Sequence, residues 1–123
     1  MVKINGKEVE WHDTPKGWYL TDVKQHILWQ NEETGARFVL MKFPKGGNHE
    51  HPHTHPHANQ WAMGLLGEME QPNGTHIKFT GDAFSFQFTP KGEKHGGLPD
   101  GGKFCSDCYG LFYFDGPLTK EFE

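Results

Sequence analysis

The chain has 123 residues, the length of one ordinary domain. With 12 basic against 16 acidic side chains its formal net charge is −4, and no basic patch appears, which argues against a nucleic-acid or anionic-membrane surface. No apolar run approaches the roughly 18 residues of a spanning helix. The opening MVKINGKEVEWHD lacks the apolar stretch of a signal peptide, so the cytoplasm is the expected compartment.

Sixteen glycines and eight prolines suit many short strands better than long helices. Aromatic residues, ten of them Phe, can fill a core. Residues 1–35 are polar and irregular, with Trp11, Trp18 and Trp29 read as docking on a barrel or on a partner copy. Asn31–Gly35 reads as a turn, Gly35 being free to take positive φ. Ala36–Phe43 is β-rich, and Pro44–Gly47 ends it.

Asn59–Leu66 alternates and is expected to close at Gly67. Gln71-Pro-Asn-Gly74 reads as a hairpin turn before Thr75–Thr80. Ala83–Thr89 has the cleanest period of two, with Phe84, Phe86 and Phe88 on one face, expected to serve as core or pocket wall. Leu98–Gly102 reads as a loop, Phe104–Phe114 as the last long strand, and the tail from Asp115 as peripheral. Turn signals about every ten residues predict an all-β sandwich or barrel.

Nine histidines are present, five of them in His49-Glu-His-Pro-His-Thr-His-Pro-His57. In an extended strand all five project one way, and histidines at i, i+2 can share a divalent ion, since neutral imidazole is a good ligand. The plainer alternative is adventitious surface binding.

The frame around the tract resembles the cupin superfamily. Gly47-x5-His53-x-His55-x4-Gln60-x6-Gly67 follows that family's first motif, and Pro90-x-Gly92-x2-His95 follows its second. The resemblance implies a cupin-type jelly-roll β-barrel over one domain, 1–123, with the barrel at 36–114 and the strands of 1–35 packing on it or on a partner. It implies one divalent metal ion, Fe2+ favoured over Zn2+, Mn2+ or Ni2+, held by His53, His55 and His95. Gln60 stands where the family has glutamate, Pro99 where it has asparagine, and eight residues separate Gly81 from Pro90 where five are expected. Gln60 is therefore a fourth ligand or a hydrogen-bonding neighbour, and His57 a candidate proton shuttle.

Three neutral ligands leave the ion's full charge, which favours anionic or enolisable oxygen ligands on a small-molecule substrate. The reading leans to an O2-dependent dioxygenase acting on an enolisable or phenolic substrate. The alternatives are a metal-dependent isomerase or lyase, and a non-catalytic zinc- or ligand-binding sensor. A homodimer is expected. Ala62 and Gly64 share the parity of Gln60 and would leave room beside the ion. Cys105-Ser-Asp-Cys108 lacks the helix and the further cysteines that thioredoxin-like redox or zinc-ribbon chemistry needs, so two buried or edge thiols are expected, with a redox or second metal role as the lesser alternative. Glu50, Glu68, Glu70 and Glu93 read as solvated charge.

Overall fold

The computed structural model describes residues 1–47, 49–71, 73–96 and 103–122. Its elements, in chain order, are a single 3-10 turn (Gly6–Glu8), β1 (His12–Asp13), β2 (Lys24–Gln30), β3 (Arg37–Phe43), β4 (His53–Thr54), β5 (Gln60–Glu70), β6 (His76–Phe79), β7 (Ser85–Thr89), β8 (Lys103–Phe104), β9 (Cys108–Phe114) and β10 (Glu121–Phe122). All strand pairings are antiparallel. The architecture is the all-β barrel that the turn spacing predicts. Among the described residues no helix is long and apolar enough to cross a membrane.

The main sheet runs β1-β2-β3-β9-β5, with β7 on the far side of β5. β2 belongs to this sheet through its ladder with β3. The Asn31–Gly35 turn joins them, closed by the Gly35 N–H on the Asn31 carbonyl at 2.8 Å. β3 shows why the pattern works: Val39, Met41 and Phe43 are buried, with Phe38 exposed between turn and core. Together with Val23, Ala58, Cys108 and Phe114 they form the core.

β5 does not close at Gly67 as the alternation suggests. It runs on to Glu70, pairing with β9 and β7 along its first half and with β6 and β8 along its second. Gly67 is the corner: its φ is +129°, and a side chain there would meet the Cys108 Cα at 2.8 Å. The Gln71–Gly74 turn then returns the chain into β6, as expected.

Ala83–Thr89 inverts its expected burial. Phe84, Phe86 and Phe88 are 56%, 61% and 46% exposed, whereas Ser85, Gln87 and Thr89 line the barrel cavity. The physical reason lies in the two environments. The cavity takes polar and small side chains from this strand, while the outer sheet face carries a cross-strand aromatic ladder. That ladder steps from Trp29 to Phe38, Tyr113, Trp61 and Phe88, with ring centroids 6.3, 4.5, 5.5 and 5.1 Å apart. The expected run 104–114 is divided by Cys105–Asp107 into β8 and β9. Leu98–Gly102 lies outside the described residues.

The tail is not peripheral. β10 pairs with β4, setting Phe122 opposite His53 and Glu121 opposite Thr54. Part of the histidine tract and part of the tail therefore form one small two-stranded sheet.

Candidate metal centre

The tract is not a continuous strand, because its two prolines break the ladder and only His53–Thr54 pair. His53 and His55 are buried, and His51 and His57 are exposed. His49 is also buried, 1% exposed, and lines the cavity but falls outside the group of three: its ring lies 4.3 Å from that of Phe104, and its Nδ1 contacts the Thr21 hydroxyl. The expectation that all five histidines share a face is thus corrected. His57 is not part of the cavity wall.

His95 arrives from the other side. Its N–H donates to the His53 carbonyl, and the His53 N–H donates to the His95 carbonyl, both at 2.9 Å, so the two residues face each other across a bridge. The Pro90–Gly92 turn is pinned by the Gly92 N–H on the His55 carbonyl at 3.0 Å. Gly96, at φ +79°, follows directly, and any side chain there would lie 2.9 Å from the His53 ring. The three rings of His53, His55 and His95 sit 4.3–4.9 Å apart by centroid. Their ligand atoms all lie within 4.8 Å of one another.

The hydrogen bonds decide which nitrogen is free. Nδ1 of His53 bonds the His51 carbonyl at 2.8 Å, Nδ1 of His55 the Thr119 carbonyl at 2.8 Å, and Nδ1 of His95 the Glu93 carbonyl at 3.2 Å. A carbonyl has no proton to give, so each Nδ1 is the donor and each Nε2 is the nitrogen left to face an ion. This is the arrangement of imidazoles oriented by their outer nitrogen for metal binding. Burial also drives His53 down to about 3 and His55 down to about 4, with the Lys120 ammonium adding to the effect at both. Both imidazoles are thereby kept in the neutral form a ligand requires. The donor set fits a divalent transition ion.

Gln60, 6% exposed, opens β5 between Thr89 of β7 and Phe114 of β9. It lines the cavity with the three histidines, and its amide favours the charged form of His55, against the larger effect of burial. Ala62 and Gly64 line the same cavity, as their shared parity suggests, and leave it roomy at about 400 Å³. Apolar walls come from Met41, Phe43 and Phe112.

Two charged residues at the site escaped the sequence reading. Glu50, taken as solvated, has its carboxylate 3.2 Å from Nδ1 of His53, and burial holds it above the usual carboxylate range. An unbroken strand would turn Glu50 to the face opposite His53 and His55, but β4 begins only at His53. Lys120, in the tail, has a side chain only 2% exposed, with Nζ 4.0 Å from the Glu50 carboxylate. It also donates to the Trp18 carbonyl at 3.3 Å and lies 3.9 Å over the Tyr19 ring. Burial pulls its ammonium down to about 8, against the pull of Glu50.

An antiparallel double-stranded β-helix is the cupin fold, and solved structures of that fold superpose on this chain. An acetylacetone dioxygenase from Acinetobacter johnsonii superposes with a TM-score of 0.63 at 19% identity, covering 93% of this chain and 72% of that one. A predicted oxalate decarboxylase from Thermotoga maritima gives 0.64 at 22%, covering 93% and 98%. An RmlC-like cupin from Shewanella frigidimarina gives 0.60 at 20%, covering 92% and 88%. No protein-family model matches the sequence, and no curated protein matches it. The chain has the cupin fold.

Proposed function

We propose that the protein is a mononuclear metal-dependent enzyme that acts on a small enolisable or phenolic substrate with O2, in the manner of a dioxygenase. His53, His55 and His95 hold the ion, Fe2+ by preference, with Gln60 beside it. The observation that carries this reading is the convergence of three imidazoles, with no carboxylate among the grouped ligand atoms, on a cavity of about 400 Å³. Ferrous iron bound there supplies Lewis acidity and one-electron access to O2.

The chain's own residues do the rest. An uncancelled double charge on the ion favours an anionic enolate or phenolate, while the Lys120 ammonium in the same cavity wall is paired with Glu50. Met41, Phe43 and Phe112 give the cavity apolar walls, and a low-dielectric wall strengthens that attraction. The similarity to a dioxygenase of acetylacetone, an enolisable diketone, supports the substrate class. The test is oxygen uptake by iron-loaded protein with a panel of β-diketones and catechols. Uptake that is stoichiometric with substrate loss and absent from His95→Ala supports the reading, and its absence with every substrate overturns it.

Glu50 favours a second reading, a metal-dependent isomerase or lyase. Its raised carboxyl stands against His53 in the same wall and is suited to move a proton. Turnover with zinc-loaded protein and no oxygen would select it.

We further propose a single domain over 1–123 that works in the cytoplasm, where both free thiols stay reduced. The exposed aromatic ladder supports a homodimer that buries this face against its own copy.

A further inference from the structure

We propose that Glu68, His76 and Cys105 form a second divalent-metal site, for a borderline ion such as Zn2+, on the outer side of the barrel. Their ligand atoms all lie within 4.8 Å of one another. Met69 lines the cavity, so strand alternation turns its neighbours Glu68 and Glu70 away from it. The site is therefore separated from the three-histidine centre by the barrel wall itself.

Three elements meet there, and the backbone fixes two of them. The Cys105 N–H donates to the Glu68 carbonyl at 2.9 Å, and the Glu68 N–H donates to Ser106 Oγ at 3.0 Å. The third, β6, is held by its ladder to β5, which sets His76 opposite Glu70. Tetrahedral zinc with these donor types needs ligand atoms about 3.3–3.6 Å apart. His76 Nδ1 already stands 3.6 Å from the Glu68 carboxylate. The Glu68 and His76 side chains are 38% and 53% exposed, so they have the freedom to close the remaining gap.

The imidazole is also braced from both sides. With Nδ1 on the ion beside Glu68, 3.6 Å away, Nε2 on the other side has the Glu70 carboxylate 4.0 Å away as its outer acceptor. Charge separates this site from the one inside the barrel. One carboxylate and one thiolate neutralise a divalent ion completely, whereas three imidazoles leave it doubly positive. A thiolate, an imidazole and a carboxylate are the mixed soft and hard donors that suit zinc over magnesium or calcium. An ion here clamps β5, β6 and the turn after β8 behind Met69, Phe104 and Cys108, all of which line the cavity.

The test uses Co2+ as a spectroscopic stand-in for zinc on the intact, metal-free protein. The wild type should show a thiolate-to-cobalt charge-transfer band in the near ultraviolet. Cys105→Ser should lose that band together with one equivalent of bound cobalt. His76→Ala should weaken the same equivalent by more than the ~10–100-fold that loss of an outer partner costs. Cys108→Ser and His95→Ala should both keep the band. Stray binding at exposed His51 or His57 would add cobalt without any thiolate band. A wild type without the band, or a band that survives Cys105→Ser or disappears in Cys108→Ser, would overturn the proposal.

Discussion

The backbone carbonyl of Thr119 accepts the Nδ1 proton of His55 at 2.8 Å, across 64 residues of chain. The last residues of the protein thus set the tautomer of a candidate ligand. They also bring Lys120 into the cavity wall and pair β10 with β4. Truncation after Gly116 should therefore weaken metal binding by about 10–100-fold, the usual cost of losing an outer partner. Titration of the truncated and full chains with a competing chelator checks this, and equal affinities would show that the tail does not orient His55.

His49 lines the cavity without joining the three ligands. It is fully buried among Phe43 and Phe104, and its Nε2 has no hydrogen-bond partner among the described residues. His49→Ala should leave metal content near that of the wild type while costing about 2–4 kcal/mol of stability through the cavity it opens. His49→Phe should recover most of that loss, because a ring of similar shape fills the space without an orphaned nitrogen. Denaturant melts of both variants beside metal analysis distinguish the outcomes.

The two cysteines should differ in reactivity. Burial raises the Cys108 thiol, which is 4% exposed and donates to the Glu68 carbonyl, whereas Cys105 is half-buried. A raised thiol stays protonated as pH climbs through the ordinary thiol range, and only the thiolate attacks. In metal-free protein at mildly alkaline pH, iodoacetamide should therefore label Cys105 first. Labelling of Cys108 should lag until the pH exceeds the usual thiol value. Peptide mapping over a pH series measures this, and equal rates would contradict the burial argument.

The aromatic ladder from Trp29 to Phe88 gives the dimer a specific test. Phe86 is 61% exposed beside it, so Phe86→Lys should not disturb the core. Sedimentation equilibrium should show the wild type as a dimer and Phe86→Lys as a monomer with an unchanged thermal midpoint under dilute conditions. A monomeric wild type would leave the exposed face without this role.

The barrel was legible because alternation and turn residues act locally: Val39, Met41 and Phe43 announce their burial by spacing alone. The spacing from Gly47 to His95 likewise singles out the three histidines that the structure brings within ligand distance of one another. What escaped the sequence depends on chain segments far apart. Lys120 and Thr119 meet the site only because β10 crosses to β4. Glu50 escapes the parity of an unbroken strand because β4 begins only at His53. Phe84, Phe86 and Phe88 look like core because period two tells which residues share a face, not which face is wet.

The account rests most directly on the metal itself. Elemental analysis of untagged wild-type protein beside His95→Ala addresses it, because His95 is remote in sequence from the histidine tract and loose surface binding would survive its loss. The account predicts iron near one equivalent at the barrel site, lost in the variant, while any zinc held through Cys105 remains. Iron that persists without His95, or is absent from both proteins, would contradict it.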